Sequence, residues 1–136
     1  MALTIDKPHT ALLAMDFEND IVHEDEAFKD FGFAQMVKQN DVLGKAARLL
    51  DSARRSGVKV IYASVKFRPG HHEAPQYAGL FQGAAQANAL VEGTWSAAIH
   101  ETVTPQEGEP VVTKRAVSAF GGSDLANLLS ASGITT

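Results

Sequence analysis

Two apolar runs separated by one amphipathic helix constrain this chain more than any other feature. The first run, Thr10 to Met15, closes abruptly on Asp16. It is short and lacks helical spacing, so it reads as a buried strand. Asn40 or Asp41 then offers a helix cap, because a short side-chain oxygen can accept from the orphan N–H groups of a first turn. Val42, Leu43, Ala46, Leu49, Leu50 and Ala53 recur on one helical face. Arg54 and Arg55 fall near the C-terminal end, where cations suit the helix dipole. Gly57 predicts a left-handed stop. Val58 to Val65 is rich in β-branched residues and predicts the second strand. Strand, helix and strand with so short a return make a βαβ unit, with parallel strands and a right-handed crossover. Parallel strands are buried between helices. The expected fold is therefore α/β: a three-layer α/β/α arrangement around an open, Rossmann-like parallel sheet.

The rest of the chain hangs on that unit. Met1 to His9 reads as a lead-in. Residues 17–39 read as a polar loop, with solvated charges at His23-Glu24-Asp25-Glu26. Its Phe28, Phe31 and Phe33 are expected to pack on the domain or on a partner subunit. From Lys66 to Pro110 the pattern loosens: turn chemistry runs over Arg68 to Pro75, and short helices are predicted at Ala84–Leu90 and Ser96–His100. A connection this long inside a compact domain usually has a function. Val111 to Thr113 predicts a third strand, ending at Lys114. Ser123 then caps a helix bearing Leu125, Leu128 and Leu129, and Gly133 stops it. Ile134 to Thr136 looks like the opening of another strand. The expectation is one domain over residues 1–136, incomplete at its C-terminus.

Composition narrows the partners. A chain of 136 residues holds one core. Its net charge of -4 and lack of any Lys/Arg cluster argue against nucleic acid. No apolar run approaches the roughly 20 residues that span a bilayer. No basic-then-apolar leader is read in the first residues, so a cytoplasmic protein is expected. There is no Cys, which removes disulfides and thiolate metal sites.

Parallel sheets carry their chemistry at the strands' carboxyl ends. Asp16 stands at such an end, either as a functional carboxylate or as a residue that merely opens a loop. Lys114 stands at another. If the two strands are neighbours, the pair converges in one crevice, where each charge favours the other and a proton can be held and moved. The bland alternative is a structural ion pair. Phe67, Tyr77, Phe81 and Trp95 either line an apolar pocket or pack the long loop. His71, His72 and Glu73 are metal-ligating types, but adjacent loop residues rarely point at one ion. No metal or other cofactor is expected. Gly121-Gly122-Ser123 could receive an anion or serve as a turn and cap.

Asp16-Phe17-Glu18-Asn19-Asp20 after an apolar strand resembles the opening motif of the isochorismatase-like cysteine hydrolases, which include nicotinamidases and N-carbamoylsarcosine amidohydrolases. Glu18 departs from the motif, which has Gln there. Thr113-Lys114-Arg115-Ala116-Val117-Ser118-Ala119-Phe120-Gly121-Gly122-Ser123-Asp124-Leu125 resembles the family's Lys motif, and Gly57 to Tyr62 its second strand. The resemblance covers Thr10 to the last residue. It implies a hydrolase that cleaves a C–N bond of a small molecule, with Asp16 as general base and Lys114 as its cationic partner. Phe67, Trp95 and Phe120 are the candidate substrate-binding residues. It also implies a homo-oligomer. The nucleophile would be a Cys placed after the strand that begins at Ile134, and this chain has none. Truncation before that Cys is the simplest account. The alternatives are a catalytically inactive fragment or scaffold, or a Cys-independent enol-ether hydrolase of the isochorismate type with Asp16 as acid. A signalling receiver domain ranks last, because Val58 to Lys66 ends without the Asp such a domain needs.

Overall fold

A computed structural model describes residues 4–25, 28–75, 77 and 79–136, without the side chain of Lys29. The start of the lead-in and Glu26 lie outside the described residues. Three parallel strands form one sheet in the order β1-β2-β3: β1 is Ala11–Met15, β2 is Lys59–Val65 and β3 is Val111–Lys114. Ala11 pairs with Lys59 and Met15 with Ala63, while Val65 pairs with Lys114.

Side chains alternate across a pleated strand, and the alternation sorts two cores. On one face Ala14, Val60 and Tyr62 pack against Leu50 and Ala53 of the long helix, Val42–Ser56. On the other, Ile61, Ala63 and Val112 meet Leu125 of a later helix, Leu125–Ala131. This is the three-layer arrangement the sequence predicts. A third cluster joins Val65 and Phe67 to Phe28, Phe81 and Leu90. Among the described residues, no helix is long and apolar enough to cross a membrane.

The stop at Gly57 follows local chemistry, whereas the expected caps differ. Gly57 ends the long helix at φ 76, with its N–H turned back to Ala53 and Arg54 carbonyls. Ser123 Oγ accepts from Leu125 N–H at 3.2 Å, but the N-cap position is Asp124, one residue later, and its side chain makes no capping bond. Neither Asn40 nor Asp41 caps through its side chain. Asn40 donates to the Met36 carbonyl, and Asp41 accepts from Arg48.

Residues 17–39 are not a plain loop. They hold helix Asn19–Val22, a 3-10 turn at Lys29–Phe31 and helix Phe33–Gln39. Such short pieces carry too few turns to show an apolar stripe, so periodicity misses them. Phe28 is buried on the domain, whereas Phe31 is exposed and stacks on Phe33. The helix expected at Ala84–Leu90 runs instead over Gly79–Gln86. Asn88 and Leu90 have positive φ and cannot continue it. Ser96 and Ala97 form a turn and Ile99 bridges Glu18, and the helical turn is Glu101–Val103, where His100 Nδ1 accepts from Thr102 N–H.

Ile134–Thr136 is not a full strand, but it docks as one. Thr136 N–H donates to the His9 carbonyl and Ala11 N–H donates to the Thr136 carbonyl, both at 3.0 Å. That is the hydrogen-bond pattern of a parallel pair with Thr136 opposite Thr10. It lies on the free edge of β1.

Candidate active site

Asp16 is the first residue beyond β1. Its φ of 62 is in the left-handed region, uncommon for a non-glycine residue. Asp and Asn tolerate that region better than most side chains, which suits the position. Its N–H reaches across to the Ala63 carbonyl at 3.2 Å.

Lys114 closes β3 and is 2 % exposed. Its Nζ donates to the Val117 carbonyl at 2.6 Å and to Asp16 Oδ2 at 3.3 Å. Asp16 Oδ1 is nearer, at 2.9 Å, but is poorly aligned as an acceptor, so its attraction to the ammonium is ionic. The two strands are not neighbours. β2 lies between them, and the lysine's length carries its charge over the end of that strand.

The remaining motif residues face inward. Asn19 Nδ2 donates to the Trp95 carbonyl at 2.8 Å. Asp20 Oδ2 accepts from Leu90 N–H at 2.7 Å. Backbone bonds from Asn19 and Asp20 to Ala98 and Ser96 complete the attachment. The short helix thereby fastens the far part of the long connection to the sheet.

Glu18 is the residue that sequence reasoning left without a role. Its side chain is fully buried. Oε1 accepts from Val65 N–H at 2.5 Å, while Oε2 has no hydrogen-bond partner. Burial pushes its pKa up to about 7, and the charge of Asp16 adds to the rise. The nearby Ser64 hydroxyl and the backbone N–H groups pull the other way. Ser64 Oγ lies close enough to act on the carboxyl but makes no well-formed hydrogen bond. The available signal was the Glu in a motif that has Gln.

A cavity of about 230 Å³ opens beside the pair. Asp16 and Lys114 supply its charges, and Ile21, Phe28, Phe33, Phe81, Leu90 and Val117 give it apolar walls. Phe67, Trp95 and Phe120 are not among its lining residues. Phe67 is wholly buried behind Phe81, so a ligand cannot touch it without repacking. Trp95 is exposed and meets the His23 ring edge-on. Phe120 is exposed on the loop after β3.

That loop is clamped. Arg115 donates to the Lys66 carbonyl and to Glu92, and forms an ion pair with Glu73. Its own N–H donates to the Gly121 carbonyl. A Cβ on Gly121 would stand 2.5 Å from the Ala116 Cβ, so the turn closes only on glycine. Gly121 and Gly122 are thus turn residues.

His71, His72 and Glu73 do not converge. His71 Nε2 bonds the Ala89 carbonyl, and Glu73 is held by Arg68 and Arg115. Among the described residues no three metal-ligating side chains cluster.

A carboxylate and an ammonium thus meet over the carboxyl end of the middle strand of a parallel sheet, beside an apolar cavity. The chain belongs to the isochorismatase family: the isochorismatase domain model matches residues 10–136. Maleamate amidohydrolase of Pseudomonas putida is 34% identical over 127 residues, covering 93% of this chain and 55% of that protein. The ureidoacrylate amidohydrolase of Rhizobium rhizogenes is 26% identical, covering 97% and 58%. An isochorismatase family protein of Desulfovibrio vulgaris superposes with a TM-score of 0.75 at 26% identity, covering 93% and 63%. The chain therefore spans little more than half the length of the relatives it matches.

Proposed function

We propose that the protein hydrolyses a C–N bond of amide type in a small molecule, with Asp16 as general base, Lys114 as its cationic partner and a Cys nucleophile absent from these residues. The observation that carries this reading is the Lys114–Asp16 pair at the mouth of the apolar cavity. The names of the relatives, both amidohydrolases, support the reaction class.

The docking of Thr136 supports the place of the nucleophile. A strand continuing in the Thr136–Thr10 register runs beside β1, and about six residues further on it draws level with Asp16. A thiol there passes its proton to Asp16, and the thiolate attacks the amide carbonyl. Backbone N–H groups hold the oxyanion. Collapse breaks the C–N bond, and the amine leaves with the proton from Asp16. Asp16 then takes a proton from water, which attacks the thioester and frees the acid and the thiol. Lys114 holds the Asp16 carboxyl in place beside the cavity through their ion pair.

Phe31, exposed and stacked on the cavity-lining Phe33, and the exposed Met36 suit assembly with further copies of the protein. The deciding experiment uses the coding sequence read through and beyond Thr136. Maleamate and ureidoacrylate, named for the relatives, are the first probes. Asp16→Asn in that protein should abolish their hydrolysis with the circular dichroism spectrum unchanged. Retained turnover removes Asp16 as base. A stop codon at Thr136, with no Cys following, favours a non-catalytic scaffold.

A further inference from the structure

Three ties hold the turn that presents Asp16 in its left-handed conformation. Such a conformation persists only where the surroundings over-determine it. Two ties are backbone bonds, Asp16 N–H to the Ala63 carbonyl and His100 N–H to the Phe17 carbonyl. The third runs through a side chain, Val65 N–H to Glu18 Oε1. Val65 lines the cavity and pairs in register with Lys114. Glu18 therefore joins the turn that bears the carboxylate to the strand end over which the lysine reaches.

The carboxyl has little to compensate a charge. It is fully buried, and Oε2 has no partner. Asp16, from the end of β1, is a like charge. Asp20, on its own helix, turns to Leu90 N–H. Lys114, from β3, is engaged with Asp16 and the Val117 carbonyl. His100, beyond the Ile99 backbone bridge to Glu18, turns its Nδ1 to Thr102 N–H. From β2 come the Val65 N–H, already bonded to Oε1, and the neutral Ser64 hydroxyl. A buried carboxylate in such surroundings is costly, whereas the neutral acid is not.

We propose that Glu18 is a positioning residue that works as the neutral acid, tying the β1 turn to the end of β2 and leaving Asp16 the negative charge at the cavity. Ionised, it sets a second buried charge two residues from Asp16. Relief lies in swinging toward water, which breaks the Val65 tie and frees Asp16 from its strained geometry. The catalytic half of this inference rests on Asp16 being the base; the protonation half does not.

Infrared spectroscopy of the wild-type protein reads the protonation directly. The expected result is a protonated-carboxyl C=O band at mildly acidic pH that fades toward alkaline pH and is missing from Glu18→Gln. Absence of a band that depends on Glu18 overturns the proposal. Carboxyl-carbon NMR of Asp16 should show an inflection from Glu18 ionisation in the wild type and lose it in Glu18→Gln; an identical titration in both overturns the positioning role. In the full-length enzyme, Glu18→Gln should keep kcat within about threefold at mildly acidic pH and remove the alkaline fall in kcat. Glu18→Ala, which loses the tie, should lower kcat by about tenfold or more with a smaller change in KM. An alkaline limb unmoved by Glu18→Gln counts against the catalytic half. Turnover retained in Asp16→Asn sinks the base assignment while leaving the infrared result to stand or fall alone.

Discussion

Lys114 Nζ lies 2.9 Å from Asp16 Oδ1 across the end of a strand that belongs to neither residue. The ammonium is buried, while the carboxylate side chain is 39% exposed. The pair is thus anchored on its cationic side and open on its anionic side, at the cavity. Lys114→Met removes the anchor. Losing one member of a fully buried pair costs about 3–5 kcal/mol, but water reaches Asp16, so the expected loss is about 1–2 kcal/mol. Urea unfolding measures it, and no change in midpoint would mean the pair is energetically neutral.

Glu18 gives stability a pH dependence of unusual sign. Its folded pKa, about 7, is raised above the ordinary 4.5. Below the ordinary value both folded and unfolded chains hold the proton, and there is no penalty. As pH rises from about 4.5 to 7 the unfolded chain releases the proton first, so stability falls; above 7 the whole penalty applies. Glu18→Gln should be more stable than wild type at alkaline pH by about 3 kcal/mol and nearly equal to it at acidic pH. Equal stability gaps at both pH values would contradict this.

Arg115 is the clamp on the loop that carries Val117. Arg115→Met strips a donor from the Lys66 carbonyl and a cation from Glu92 and Glu73. The cost should be about 1–3 kcal/mol. Limited proteolysis between Ala116 and Gly122 should also quicken, because the Arg115 side chain is what ties this loop to the long connection. Unchanged cleavage would show that the backbone alone holds it.

Leu125 and Leu49 offer a matched comparison on two helices. Leu125 is fully buried against Ile61 and Val112, whereas Leu49 is 57% exposed. Leu125→Ala should cost about 2–5 kcal/mol through lost burial and the cavity left behind. Leu49→Ala should stay within about 0.5 kcal/mol. Thermal or urea melts of the two variants separate them.

Local chemistry is what sequence conveys well, and it was enough for the βαβ unit. The period of Val42 to Ala53, the left-handed stop at Gly57 and the β-branched run to Val65 each depend on near neighbours in the chain. The same patterning placed Asp16 and Lys114 at strand ends, because a strand's length and direction follow from its own residues. Residues 17–39 and 79–90 were misread for the opposite reason: their helices are held by contacts made far along the chain, such as Asp20 with Leu90 and Asn19 with Trp95.

By itself, then, the sequence determined the layers, the strand ends and the two charged residues worth watching. Only the tertiary structure decided that β2 stands between them, that Lys114 spans it, and that Phe67, Trp95 and Phe120 are not among the residues lining the cavity. Only the tertiary structure, too, set Glu18 beneath the site with one oxygen tied to Val65 and the other unpartnered. The physical reason is burial. Whether a carboxyl is a solvated charge or a neutral acid depends on the groups packed around it, and those come from strands that meet only in the folded chain.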